Sequence, residues 1–137
     1  MARTKALLGD AEKELFLRPN FAHLATIDPD GAPHVAPVWV DVEENAILVN
    51  TAKDRVKERN AREDPRVAIS VHDQDNPYRM VSVTGRVVEI TATGADDHID
   101  EMAKKYLGQD QYPNRNSAEQ RVIMKIEPER VASMGIV

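Results

Sequence analysis

A group of basic side chains between positions 53 and 63 is the part of this sequence best suited to chemistry. Its basic members are Lys53, Arg55, Lys57, Arg59 and Arg62. Three acidic residues accompany these five, so the segment carries two net positive charges in a chain whose formal net charge is −5. A helix start here would add free backbone N–H groups and a positive dipole end, which attract anions. Two interpretations stay open: a phosphate site, with Arg55 as a planar fork and Lys57 as a mobile charge, or a surface helix whose cations pair with nearby carboxylates.

Several other kinds of site are excluded by residue type or spacing. Without cysteine there is no thiolate nucleophile, disulfide, cysteinyl zinc site or iron–sulfur cluster. The six glycines do not have the spacing of a dinucleotide-binding or Walker loop, and no serine lies in a Gly-x-Ser-x-Gly elbow. His98 lies in an acidic stretch, 96–101, which we interpret as the solvated face of a helix and not as a metal site. We therefore predict no metal, and any phosphate must be held by basic side chains and a helix end.

Composition places these residues in a soluble protein with one domain, 1–137. The chain is 42% hydrophobic and 30% charged, with few aromatic residues, so the core should consist mainly of Val, Ile, Leu and Ala. The start of the sequence lacks the apolar stretch of a signal peptide, and segment 35–40 is too short to cross a bilayer. Net acidity argues against nucleic-acid binding. We expect a cytoplasmic protein with neither nucleic-acid nor membrane partners.

The hydrophobic pattern predicts a chain rich in strands that positions the basic segment. Helices are predicted over 7–17, 52–62 and 95–107, and strands over 21–28, 33–42, 46–50, 66–72, 78–93, 121–127 and 131–136. Thr51 and Asp54 have the spacing of a capping box for the second helix. Gly31 allows a hairpin turn between the first two strands, and Gly85 marks a bend in the long strand.

Strands joined by short connections favour an antiparallel closed barrel with small helices. Closure would remove the edges that Val-rich strands expose, although Pro33 and Pro37 indicate that the second strand is partly an edge or bulged. Side chains fill so small a barrel. A ligand would therefore lie in an outer groove, where two subunits could meet.

Five segments together resemble a known family. Segment 21–40, FAHLATIDPDGAPHVAPVWV, is similar to the opening hairpin of the pyridoxamine 5′-phosphate oxidase-like split β-barrel flavoproteins. The similarity continues through 47–60, 64–70, 78–87 and 121–131. It covers nearly the whole chain, and the order and spacing of its pieces are more specific than any piece alone. It implies a mainly β, antiparallel, FMN-binding-like split barrel that forms a homodimer.

Within this superfamily the chain looks most like the branch of F420-dependent reductases. The resemblance implies hydride transfer from reduced F420, a deazaflavin coenzyme, to an electron-poor double bond or a quinone-type small-molecule acceptor. The catalytic residues stay unknown, because no side chain must act as a general acid. The alternatives are an FMN-dependent oxidase or reductase of the same fold, a non-catalytic deazaflavin- or flavin-binding protein, and a dimeric interaction protein that binds neither cofactor.

The resemblance also implies which residues bind the cofactor in a groove between subunits. The ring would be lined by His34, Val35, Ala36, Pro37 and Val38. The ring edge or ribityl chain would lie beside Asn50 and Thr51. The phosphate would be held by Arg55 and Lys57, with a hydrogen bond from Asn60. The anionic oligoglutamate tail of F420 would meet Lys53 and Arg59. The neighbouring subunit would contribute Tyr78, Arg79 and Met80.

Aromatic residues nearby have a simpler interpretation. Trp39 on a Val-rich strand is expected to be a packing residue. Met102, Tyr106 and Leu107 are expected on the inner face of the third helix. Tyr106 and Tyr112 could still border the substrate opening, because the polar segment 109–117 follows that helix.

Overall fold

Strands dominate the structure, a computed structural model that describes residues 6–136. Within that range the helices are α1 (Asp10–Leu17), α2 (Val56–Glu63) and α3 (Ala95–Leu107). The strands are β1 (Ala22–Ile27), β2 (Pro33–Val38), β3 (Asp41–Glu43), β4 (Ala46–Ala52), β5 (Arg66–Asp73), β6 (Asn76–Thr91) and β7 (Arg121–Met134). None of these helices is long and apolar enough to cross a membrane.

All seven strands belong to one antiparallel sheet, in the order β2-β1-β5-β6-β7-β4-β3. The prediction of an antiparallel, mainly β chain is confirmed. The prediction that hydrogen bonds close the sheet into a barrel is not confirmed. Among the described residues, β2 and β3 are the two edge strands of the sheet and do not pair with each other. Pro33 and Pro37 lie on β2, the edge strand, where a missing backbone N–H costs no ladder bond.

The sheet and α1 enclose a core of aliphatic side chains. Along β7, buried residues alternate with partly exposed ones, as expected for a strand with one face inward. Inward-facing residues such as Ile47, Val49 and Met124 are fully buried together with Phe16 of α1. The opposite face of β4, which carries Asn50, is covered by α3. That covered face is where the candidate site begins.

The start of α2 differs from its prediction. Strand β4 continues through Ala52, and the backbone of Asp54 is left-handed with φ 74°, so the helix begins at Val56. The proposed capping box is wrong, because the buried hydroxyl of Thr51 has no hydrogen-bond partner within residues 6–136. Instead the Glu58 carboxylate accepts the Asp54 N–H at 2.7 Å.

Predicted and observed strands also differ in two places. The strand expected over 33–42 breaks after Val38, and β3 starts at Asp41 and pairs with β4. The two strands expected at the end of the chain form the single β7, whose pairing with β6 shifts register at Gly85. A bulge lets one long strand bend without ending.

Candidate functional site

A cavity of about 340 Å³ lies between β2, the end of β4, the start of α2 and the loop before β7. We call it the basic cavity. Six residues predicted to bind a cofactor line it: Pro37, Val38, Asn50, Thr51, Arg55 and Lys57. Seven further lining residues are Phe21, Trp39, Ile99, Leu107, Tyr112, Asn114 and Arg121. The cavity thus joins a basic side to an apolar and aromatic side.

Three cations form the basic side, and one carboxylate lies among them. Arg55 Nη2 donates to Glu119 Oε1 at 2.6 Å, while Arg121 Nη1 lies 3.5 Å from Glu119 Oε2. Lys57 has a lowered pKa, first because burial penalises its charge and then because Arg55 and Arg121 are close. Burial likewise lowers the pKa of Arg121, whose side chain is only 9% exposed. Three positive charges against one negative charge leave a surplus that favours an anion.

The aromatic side is built around the single tryptophan. Trp39 stacks on Tyr106 with ring centroids 5.2 Å apart, and it lies nearly perpendicular to Tyr112 with centroids 6.1 Å apart. The Arg121 guanidinium lies 5.3 Å from the centroid of Tyr112. Trp39 therefore packs, as expected, and also lines the basic cavity.

Tyr106 is tied to the backbone beneath this aromatic stack. Its hydroxyl donates to the Asn20 carbonyl at 2.7 Å and accepts the Val40 N–H at 3.0 Å. Burial raises the pKa of Tyr106 to about 12. A phenol held in this way anchors α3 to the sheet and is poorly suited to releasing a proton near neutral pH.

Two buried polar atoms of the basic cavity have unused hydrogen-bonding capacity. Within residues 6–136, Thr51 Oγ1 and Arg121 Nη1 have no hydrogen-bond partner, the 3.5 Å approach of Glu119 being outside hydrogen-bond geometry. Buried polar groups normally find partners, so each unsatisfied one needs an explanation. Both residues line the same cavity, so a polar ligand bound there is one way to supply the missing partners.

His34 and Asn60, also predicted to bind cofactor, line a different cavity. It measures about 1130 Å³ and lies between the β1–β2 hairpin and α2, where Arg59 also borders it. Asn60 is buried, and its Nδ2 donates to Thr26 Oγ1 at 3.0 Å and to Asp28 Oδ1 at 2.8 Å. This places Asn60 as a tie between α2 and β1. The Nδ1 atom of His34 is buried and has no hydrogen-bond partner in the part of the chain that the structure describes.

The other predicted residues line neither cavity in this chain. Val35 and Ala36 are on β2, with Val35 65% exposed. Lys53 is exposed. Tyr78 is 76% exposed, Arg79 pairs with Asp73 at 2.8 Å, and Met80 pairs with Met134 on β7. The assignment of residues 78–80 to a neighbouring subunit stays a prediction.

His98 is the clearest correction to the expected site. The acidic residues Asp96, Asp97 and Glu101 face solvent as predicted, but His98 is 7% exposed and points toward the sheet. It contacts Asn50 of the basic cavity and Asp41 of β3. No group of side chains within residues 6–136 has the arrangement of a metal site.

We expect E119Q to strengthen anion binding in the basic cavity. A bound anion must compete with the Glu119 carboxylate for Arg55, and glutamine keeps the shape while removing the charge. The affinity for the anion should rise roughly two- to five-fold, which corresponds to the usual contribution of a solvent-accessible ion pair. It can be measured by titrating sulfate against Trp39 fluorescence.

The pH dependence of that gain has a definite sign. The hydrogen bond from Arg55 holds the pKa of Glu119 below its usual range, so the carboxylate stays ionised through neutral and mildly acidic pH. The advantage of E119Q should fade only as pH falls through that lowered pKa. Equal or weaker sulfate binding by E119Q at neutral pH would show that Glu119 supports the cavity and does not compete there.

Comparisons with known proteins agree with this fold. The pyridoxamine 5′-phosphate oxidase family model matches residues 8–135. A solved structure of an F420 reductase has 32% sequence identity and a TM-score of 0.77, over 88% of this chain and 94% of that chain. The protein Rv2991 from Mycobacterium tuberculosis has 26% identity and a TM-score of 0.71, over 98% of this chain and 89% of its own.

A more distant likeness supports the architecture alone. General stress protein 26 from Bacillus anthracis has 18% identity and a TM-score of 0.66, over 90% of this chain and 91% of its own. The predicted split β-barrel is confirmed by these comparisons.

Proposed function

Because this chain belongs to the pyridoxamine 5′-phosphate oxidase family, we propose that it is an oxidoreductase working with a flavin-type cofactor, specifically the deazaflavin F420. The similarity to an F420 reductase supports the choice of F420. The observation that carries the proposal is the basic cavity, where Arg55, Lys57 and Arg121 face an apolar wall. A phosphorylated, ring-bearing cofactor needs both sides together.

The residues present fit such a cofactor. Arg55 and Lys57 would hold the phosphate through charge-assisted hydrogen bonds, and the unpartnered Thr51 hydroxyl would meet a polar atom of the chain that links phosphate and ring. Pro37 and Val38 would flank the ring and exclude water from one face. When bound, reduced F420 supplies a hydride to an electron-poor double bond or a quinone-type acceptor. The protein contributes binding and proximity, and in this proposal solvent supplies the acceptor's proton.

We further propose that the functional unit is a homodimer, with the cofactor between subunits. Val35 and Tyr78 are large apolar residues that one chain leaves mostly exposed. A second copy would cover them and bring Tyr78, Arg79 and Met80 to the cofactor. Sedimentation velocity should show a dimer, and a Y78D variant should shift it toward monomer. A wild-type monomer at micromolar concentration would contradict this arrangement.

The first experiment is a parallel titration with F420 and with FMN. Trp39 is the single tryptophan and borders the basic cavity, so its fluorescence should report binding, with calorimetry as an independent check. Tighter F420 binding supports the proposal and justifies a panel of acceptors with reduced F420. Tighter FMN binding would move the protein to the flavin-dependent alternative. Stoichiometric binding without turnover would indicate a carrier, and binding of neither cofactor would refute the proposal.

Salt dependence tests the proposed contact of Lys53 and Arg59 with the F420 tail. Exposed charges are screened over about 10 Å at 0.1 M salt, so the affinity of long-tailed F420 should fall more steeply with salt than that of a short-tailed form. A K53A/R59A variant should remove the difference between the two slopes. Equal slopes in the wild-type protein would eliminate this role for both residues.

A further inference from the structure

The buried histidine beneath α3 connects to the basic cavity through one asparagine. We propose that His98 is a positioning residue that fixes the direction of the Asn50 amide and, through it, the guanidinium of Arg121. This inference rests on the proposed function in one respect, since it takes the basic cavity to be the site of the cofactor's anionic group. Its test uses an anion that is not a cofactor, so that the two ideas can fail separately.

The strand register places the participating side chains on one face of the sheet. Asp41 pairs with Leu48, and Arg121 pairs with Ala52. Leu48, Asn50 and Ala52 alternate with the inward-facing residues of β4, so they share its outer face. Directly paired residues lie on the same face, and therefore Asp41, Asn50 and Arg121 form a diagonal across three strands. Helix α3 lies over this diagonal.

Hydrogen bonds connect Arg121, Asn50, His98 and Asp41 in that order, and they allow one orientation of the Asn50 amide and one tautomer of His98. Arg121 Nε can only donate, so the atom of Asn50 that meets it at 3.0 Å must be the carbonyl oxygen Oδ1. The Asn50 Nδ2 group then donates to the Ala95 carbonyl at 2.9 Å and to His98 Nδ1 at 3.1 Å. His98 Nδ1 must accept, so the proton of the neutral ring is on Nε2 and is donated to Asp41 Oδ2 at 3.1 Å.

The donor-to-acceptor order of these hydrogen bonds affects the basic cavity. The opposite tautomer would turn an N–H of His98 toward the NH₂ of Asn50, placing two donors against each other. Rotation of the amide would relieve that conflict but would present NH₂ to Arg121 Nε and leave the Ala95 carbonyl facing an oxygen. Arg121 would then lose the part-buried acceptor of its Nε, and Asn50 would no longer hold the guanidinium in the direction that brings Nη1 to the cavity.

A purely space-filling role for His98 makes a different prediction. Packing alone requires the volume of the ring but not a proton on a particular nitrogen. The positioning role requires an acceptor toward Asn50 and a donor toward Asp41. Glutamine can supply both, with Oε1 and Nε2, whereas leucine supplies neither.

The experiment compares sulfate binding to wild-type protein, H98Q and H98L, followed by Trp39 fluorescence. Sulfate keeps its double charge across the neutral range, and its binding does not depend on which cofactor the protein uses. We expect H98L to bind sulfate about ten-fold more weakly, comparable to the loss of one charge-assisted hydrogen bond. H98Q should stay within about two-fold of wild type. H23L, which changes an exposed histidine that lines neither cavity, is the control.

A second measurement keeps the test decisive if H98L does not fold. ¹⁵N NMR of the wild-type protein should show His98 protonated on Nε2, and sulfate should shift both the His98 Nδ1 and the Asn50 side-chain amide signals. A proton on Nδ1, equal sulfate affinity in folded H98L, or equal weakening in H98Q and H98L would each overturn the proposal. So would a wild-type protein that does not bind sulfate. If sulfate behaves as expected but F420 and FMN do not bind, the positioning role stands and the proposed function fails.

Discussion

Replacing Arg55 and Lys57 together by alanine should weaken cofactor binding by about 2–4 kcal/mol in a protein that still folds. Each hydrogen bond from a charged group to phosphate contributes about 1.5–3 kcal/mol, and the two contributions overlap because both side chains serve one anion. Arg121 remains in the double variant, so some affinity should persist. Calorimetric titration with F420, and with FMN in parallel, measures the loss directly.

The matched control for this variant is K13A/K104A. It removes the same number of positive charges at positions that do not line the basic cavity. The cofactor affinity of K13A/K104A should change little, because salt screens the interaction between distant charges. Unchanged binding in folded R55A/K57A, or an equal loss in both double variants, would eliminate the phosphate assignment and leave only a general charge effect.

The same cations give cofactor binding a pH dependence. Burial, Arg55 and Arg121 all lower the pKa of Lys57, so in the free protein it loses its proton at lower pH than an exposed lysine would. A bound anion favours the charged form and raises that pKa, so binding takes up a proton as pH rises into this range. As pH rises, cofactor affinity should therefore begin to fall at a lower pH than it would if Lys57 had the pKa of an exposed lysine.

The sequence was informative wherever the site is contiguous along the chain. Segment 53–57 is indicated by its own pattern, because a basic helix start directly follows an apolar strand, whereas segments 34–38 and 50–51 are assigned through the family resemblance. Their secondary structure was nearly right, and six of their residues do meet in one cavity. The error at Thr51 arose because the capping-box spacing was present while the strand continued past it to Ala52. Tertiary pairing with β7 overrode the local signal.

The parts of the site that were missed come from distant segments. Arg121 and Glu119 reach Arg55 only because β7 pairs with β4, an adjacency that the pattern of strands alone does not reveal. His98 was misplaced because its neighbours are acidic and exposed. The helical repeat does put positions 95, 98, 99 and 102 on the buried face, which was the signal available. His34 and Asn60 lie in a second cavity, a separation that depends on which side of the short helix each residue occupies.

Gly85 is the position where the smallest substitution should most damage the sheet. A Cβ built on Gly85 would overlap the backbone oxygen of Glu127 and lie 3.3 Å from the Cα of Pro128. The contact is with backbone, so no side-chain rotation relieves it. Strand β6 is held on both sides, by β5 and β7, at the bulge where the register shifts. The glycine is therefore required by space, and its absence should separate two central strands.

We expect G85A to lower the free energy of unfolding by about 3 kcal/mol, the upper part of the range for an overpacked interior. The measurement is equilibrium urea unfolding at a fixed protein concentration, with a midpoint shift at constant slope. G9A is the control: the added methyl meets only the end of the Glu12 side chain at 3.3 Å, and the cost should stay below about 1 kcal/mol for the changed helix cap. Equal destabilisation by the two variants would mean that the Gly85–Glu127 approach does not constrain the sheet. Because β7 also carries Arg121, a shift of β7 in folded G85A should weaken anion binding as well, whereas G9A should leave it unchanged.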